Sequence, residues 1–144
     1  MDYKSDIGYR RETLKKLLYN IQKSEDLIIK ALYDDFQKPE FEAVVTETSY
    51  VISDLKETIK NINKWAKPKR VFPSLLNFPS SDYLYKEPYG NVLVIAPWNY
   101  PFQLALCPLI AAIAAGNRVT LKPSELTPHT SAIIAKIIEK TFHV

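Results

Sequence analysis

The chain has 144 residues, with 19 basic against 16 acidic side chains for a net charge of +3, and 47% of it is hydrophobic, the make-up of one globular domain with a real core. Its single cysteine excludes an internal disulfide framework and a multi-thiolate zinc site, and its two histidines, His129 and His143, have no partners at ligand spacing, so no metal is expected. Three glycines, Gly8, Gly90 and Gly116, exclude both a Gly-rich dinucleotide fingerprint and a Walker-type phosphate loop, so any nucleotide has to be held another way.

The opening residues, MDYKSDIGYRRETLKK, lack the apolar core of a signal peptide, which points to a cytoplasmic protein. Charge is concentrated in the first half. Residues 1–72 carry 14 basic and 12 acidic side chains, residues 73–144 only 5 and 4. Leu14, Leu17, Leu18 and Ile21 repeat at helical spacing, and Ser24 reads as the cap of a second helix faced by Leu27, Ile28, Ala31, Leu32 and Phe36. Pro39 breaks that helix. A third runs from about Glu40 to Ala66 with a stripe of Val44, Thr48, Val51, Leu55, Ile59, Ile62 and Ala66, expected to be covered by the same chain, although a helical dimer is an alternative. The basic run KWAKPKR, residues 64–70, reads as a solvated helix end and a turn, and no nucleic-acid partner is expected. Pro68 and Pro73 bound an irregular connection.

Tyr83 to Lys86 alternate like a half-exposed strand, and Pro88 and Gly90 turn the chain after it. The unbroken VLVIA of Val92–Ala96 predicts a strand covered on both faces, hence a parallel sheet. A helix follows from about Phe102 to Gly116, which fits a left-handed C-terminal cap. It contains the longest apolar stretch, Leu104–Ala115, too short to cross a membrane. Val119–Lys122 makes a second strand, and Ile133, Ile134, Ile137, Ile138 and Phe142 a last amphipathic helix. The fold class is therefore α/β: helices over residues 1–80, a strand and turn over 81–90, and over 91–144 the first β-α-β-α of a doubly wound, Rossmann-like parallel sheet.

Ligands of such sheets lie beyond the carboxyl ends of the strands, which selects two loops, APWNYP from Ala96 and KPSELTP from Lys122. Asn99 offers an amide donor for a developing oxyanion, or else is a turn asparagine bonded to its own backbone. Glu125, three residues after Lys122, stands where dinucleotide folds read ribose hydroxyls; alternatively it merely favours the dipole of the last helix while Lys122 points to solvent. Cys107, among Leu, Pro and Ile, reads as a core residue.

The run EPYGNVLVIAPWNYPFQLALCPLIAAIAAGNRVTLKPSELTP, with WNYPF, AAIAAGN and KPSE in order, closely resembles NAD(P)-dependent aldehyde dehydrogenases. The upstream ALYDDFQKPEFEAVVTETSYVISDLKETIKNINKWAKPKRV is similar to their class 3, fatty and aromatic aldehyde branch. By this resemblance Asn99 is the side-chain donor to the oxyanion of a cysteine thiohemiacetal. Lys122 and Glu125 bind the adenosine ribose of NAD or NADP, with Ile95, Ala96, Pro97, Trp98 and Ser124 also in the cofactor site, and Tyr100 lines the aldehyde tunnel. The family's cysteine nucleophile, glutamate base and oligomerisation strand come later than residue 144, and Cys107 does not match the nucleophile. The resemblance thus implies the N-terminal part of an aldehyde-oxidising enzyme, a homodimer when complete and inactive as this piece alone. The alternative is a short binding or assembly module that has kept the fold.

Overall fold

A computed structural model describes residues 6–142. Four segments build the helical part: α1 (Ile7–Lys23), α2 (Glu25–Phe36), a short α3 (Glu40–Ala43) and α4 (Ser49–Trp65), the last two joined by a π-helical turn at Val44–Thr48. Strands β1 (Lys69–Val71) and β2 (Asp82–Leu84) form an antiparallel pair, and β3 (Asn91–Ile95), α5 (Pro101–Ala114), β4 (Arg118–Lys122) and α6 (Pro128–Phe142) complete the chain.

Strands β3 and β4 pair in parallel from Asn91↔Arg118 to Ile95↔Lys122, with α5 as the crossover helix, so the β-α-β-α reading holds. Helix α5 begins with Pro101, whose fixed φ and missing N–H suit the first helical position. It ends at Gly116, where φ is +91°, with Gly116 N–H donating to Ile113 O and Asn117 N–H to Ala112 O, the paired bonds of a Schellman cap. Gly90, at φ +97°, donates to Asn117 Oδ1 at 3.0 Å, and its carbonyl accepts from Arg118 N at 2.7 Å. The starts of both strands are thereby tied together.

One core serves helices and sheet alike. Leu14, Leu17 and Ile21 of α1, Ile28 and Leu32 of α2 and Leu55 and Ile62 of α4 close on Phe102, Leu106 and Ile110 of α5 and Ile134 and Ile137 of α6. Helix α4 packs on α1 and α5, so its stripe is covered within the chain. The buried face differs from the expected one at its start, where Ala43 and Glu47 are buried and Val44 only partly, because the π-helical turn rotates the residues about the axis.

Five other sequence expectations change. Ser24 separates α1 from α2, but its hydroxyl caps neither; its carbonyl accepts from Ile28 N–H instead. The connection after Pro68 contains β1, which three residues of mixed chemistry do not announce, and its partner strand ends at Leu84, not Lys86. The apolar run of β3 is covered on one face only: Val94 is buried, whereas Leu93 and Ile95 are 61% and 66% exposed, because α5 packs on one side of the pair and nothing among residues 6–142 covers the other. Cys107 lies at the edge of the core, half-buried, not inside it.

No helix among the described residues is long and apolar enough to cross a membrane. Among those residues no three His, Cys, Asp or Glu side chains gather as a metal site, and His143 lies outside them.

Candidate functional site

Parallel pairing of β3 and β4 brings both loops to one edge of the sheet, where Ala96 N–H donates to Lys122 O at 3.0 Å. Ala96 is buried there, while Ile95 and Trp98 stand exposed and Pro97 follows in a loop stiffened by Pro101. Asn99 is exposed and opens, with Trp98 and Tyr100, onto a cavity of about 520 Å³ whose opposite wall is Phe36, Gln37, Lys38, Pro39 and Glu42. An exposed amide beside an aromatic ring, at the mouth of a cavity, suits a donor to an oxygen that gains negative charge.

At the end of β4 the Lys122 ammonium meets the Glu125 carboxylate in an exposed ion pair. Its hydrogen bond to Lys122 holds the Glu125 carboxyl below the usual glutamate range. A carboxylate and an ammonium side by side offer one acceptor and one donor, the set that a vicinal diol uses. Ser124 between them is buried, and its hydroxyl is engaged in the local turn, accepting from Leu126 N–H at 3.2 Å. Neither Lys122, Ser124 nor Glu125 lines the cavity at Asn99, so the two groups of residues are neighbours along one sheet edge and not one cluster.

Dinucleotide folds use the N-terminus of the helix after the first strand to hold a diphosphate. Here that terminus is taken. Glu47 Oε2 accepts from Phe102 N–H at 3.0 Å and Gln103 N–H at 2.8 Å, the opening turn of α5. The first turn of α6 is held in the same way, Asp35 Oδ1 accepting from His129 N–H at 3.0 Å and Oδ2 from Thr130 N–H at 2.8 Å. The chain's own carboxylates thus fill both helix termini at this edge and leave neither open to a diphosphate, whereas the Lys122–Glu125 pair has the donor and the acceptor that a ribose would take.

Glu47 is fully buried, and its Oε1 accepts from Lys38 Nζ at 2.6 Å. Sequence reasoning missed Lys38, Glu47 and Asp35. Glu47 had a usable signal, a carboxylate spaced at 3 from Val44 and 4 from Val51 on an apolar helix face; Lys38 in a helix break and Asp35 at a helix end had none. Cys107 has its thiol pushed up to about 12 by burial and then by neighbouring Asp54, the opposite of what a nucleophile needs.

The family model of the aldehyde dehydrogenase family matches residues 3–142. The chain is 48% identical over 137 residues to 4,4'-diaponeurosporen-aldehyde dehydrogenase of Staphylococcus aureus, covering 95% of this chain and 30% of that protein. It is 45% identical over 132 residues to aldehyde dehydrogenase family 3 member H1 of Arabidopsis thaliana, covering 92% of this chain and 27% of that one. The solved substrate-bound state of Staphylococcus aureus AldH superposes with a TM-score of 0.93 at 47% identity, over 96% of this chain and 30% of that structure. The chain therefore spans less than a third of the length of these relatives.

Proposed function

The chain belongs to the aldehyde dehydrogenase family, its relatives being of the class 3 type, and on that premise we propose that it is the N-terminal part of an enzyme that oxidises aldehydes to carboxylic acids with NAD or NADP. In this reading residues 1–80 are the helical part, 81–90 lead into the sheet and 91–144 open the cofactor-binding domain.

Asn99 donates its side-chain amide to the carbonyl oxygen as a cysteine thiolate, supplied from outside these residues, adds to the aldehyde and negative charge grows on that oxygen. Tyr100 presents ring surface to the substrate. Lys122 and Glu125 exchange their mutual ion pair for the two hydroxyls of the adenosine ribose, and Ile95, Ala96, Pro97, Trp98 and Ser124 shape the rest of the cofactor cleft. When bound, the nicotinamide accepts the hydride. The chain alone is inactive in this reading, because its one thiol, Cys107, is held protonated away from Asn99's cavity. The complete enzyme is a cytoplasmic homodimer.

The observation that carries this reading is the placing of Asn99 and of the Lys122–Glu125 pair at the same edge of a parallel β3–β4 pair. Its test is the intact mass of the protein as its cell makes it, followed by an assay of aldehyde-dependent NAD(P)+ reduction. A mass several times 16.5 kDa with activity is the expected result. A native mass of 16.5 kDa without activity would give the chain to the rival, a binding or assembly module.

A further inference from the structure

Behind the cavity at Asn99 the backbone departs from regular helix twice. Gln37 ends α2 in the left-handed region at φ +56°, and residues Val44–Thr48 form the π-helical turn, a rare feature that is frequent at functional sites. These departures present two neighbouring side chains, Lys38 and Glu47, which meet at 2.6 Å with 4% and 0% of their side chains exposed. Lys38 Nζ also stands 4.4 Å from the centroid of the Tyr100 ring and 5.0 Å from that of Phe36. The free oxygen of Glu47 takes the N–H groups of Phe102 and Gln103.

A buried ion pair is a poor way to gain stability, since a well-packed apolar pair does as well or better. What it does supply is direction. The carboxylate fixes the first turn of α5 at two N–H groups, Pro101 fixes φ just before it, and the ammonium sits over the next ring, so the three residues preceding Phe102 have little freedom left. We infer that the buried Lys38–Glu47 pair is the positioning device of the Asn99 corner: anchored between the α2–α3 connection and the π-helical turn, it sets the place of the Asn99 amide and the Tyr100 ring. Its catalytic meaning rests on the aldehyde dehydrogenase reading. Lys38 and Glu47 are positioning residues; they act through Asn99 and Tyr100 and touch no reacting atom.

The first arm of the test needs no activity. In the 144-residue chain, Lys38→Met, Glu47→Gln and the double variant are compared with the parent by ¹⁵N–¹H NMR, following the Asn99 side-chain amide and the Trp98 indole, with methyl signals of Leu32, Leu55 and Ile134 as reporters of the fold. The expected result is that Asn99 and Trp98 signals shift or broaden while the core methyls stay in place. If only the Phe102 and Gln103 amides move, the pair is a helix cap and the inference falls. Where a single variant fails to fold, the neutral double variant decides, and loss of fold in all three would assign the pair to stability and overturn the inference.

The second arm uses the complete enzyme. Glu47→Gln is expected to lower kcat roughly 10- to 100-fold, the scale of a small misplacement of a catalytic group, with KM for the cofactor unchanged. In an Asn99→Ala background the same substitution should cost almost nothing, because its effect passes through Asn99; a full additive loss there would overturn the inference. An unmodified enzyme that oxidises no aldehyde would sink the functional reading instead, and the resonance arm would still decide the positioning.

Discussion

Three side chains can be tested singly. Asn99 stands exposed at a cavity mouth, with its placement held from behind by Glu47 and Lys38. Asn99→Ala in the complete enzyme should lower kcat by roughly 100-fold or more while cofactor affinity stays put, since the amide is needed only as charge develops; steady-state kinetics with chemistry rate-limiting checks this, and unchanged turnover would remove Asn99 from the site. Glu125→Gln should weaken NAD+ more than NADP+ in parallel titrations, because a 2′-phosphate would no longer face a carboxylate; an equal loss counts against the contact. Cys107 ionises far above an ordinary thiol, so its alkylation by iodoacetamide at pH 8 should run on the order of 1000-fold slower than that of an unfolded control. The linked stability follows in sign. A thiol whose ionisation is raised from 9.0 to about 12 contributes stability that is complete below pH 9 and is lost as the pH climbs from 9 towards 12. Asn99, Lys122 and Glu125 were legible as candidates because a strand-helix-strand pattern says where to look. Their supports were harder to read: Glu47 betrays its burial by its place on an apolar helix face, but the N–H groups that Asp35 and Glu47 bind lie 94 and 55 residues away, and such pairings leave no local period.

At the scale of elements, the pattern of apolar residues located α1, α2, the stretch that holds α3 and α4, α5, α6 and both parallel strands, since each buries a face with its own period. It missed β1, whose three residues are all exposed and have no apolar face to reveal them. It also missed the π-helical turn, which inserts one residue into a stripe without erasing it. The helix termini carry the sharper lesson. Helix α6 is capped by a residue of α2, so Asp35→Ala should cost about 1–2 kcal/mol, read as a lower urea midpoint, and should raise the hydrogen-exchange rates of the His129 and Thr130 amides above all others. Gln37→Gly acts in the opposite direction. Its left-handed φ suits glycine, and a gain of about 0.5–1 kcal/mol is expected in the same titration. A loss would mean that the Gln37 side chain, on the wall of the Asn99 cavity, makes contacts that outweigh the strain.

Taken whole, the molecule has a single core joining helices to sheet, and a wide apolar surface that nothing among the described residues covers. Leu93 and Ile95 lie open on one face of the parallel pair, and Phe72, Leu75, Leu76 and Phe78 on the arm between β1 and β2. Patches of that kind belong to interfaces. The 144-residue chain by itself should therefore bind an apolar dye such as ANS in its native state; a monomer that unfolds cooperatively and binds no dye would speak against its being part of a larger enzyme. Sequence alone gave the second layer as necessary by the continuous VLVIA, and the exposed face is where that need goes unmet within these residues. The register of β3 on β4 has one more consequence. Ile95 is opposite Lys122, so the loop after β3 that carries Asn99 and the loop after β4 that carries Glu125 are spaced by a ladder of backbone bonds and not by the loops' own contacts. Slipping that ladder by a single rung would turn Lys122 to the opposite side of the sheet. An insertion inside either loop leaves this gauge untouched, whereas a one-residue deletion within β4 resets it.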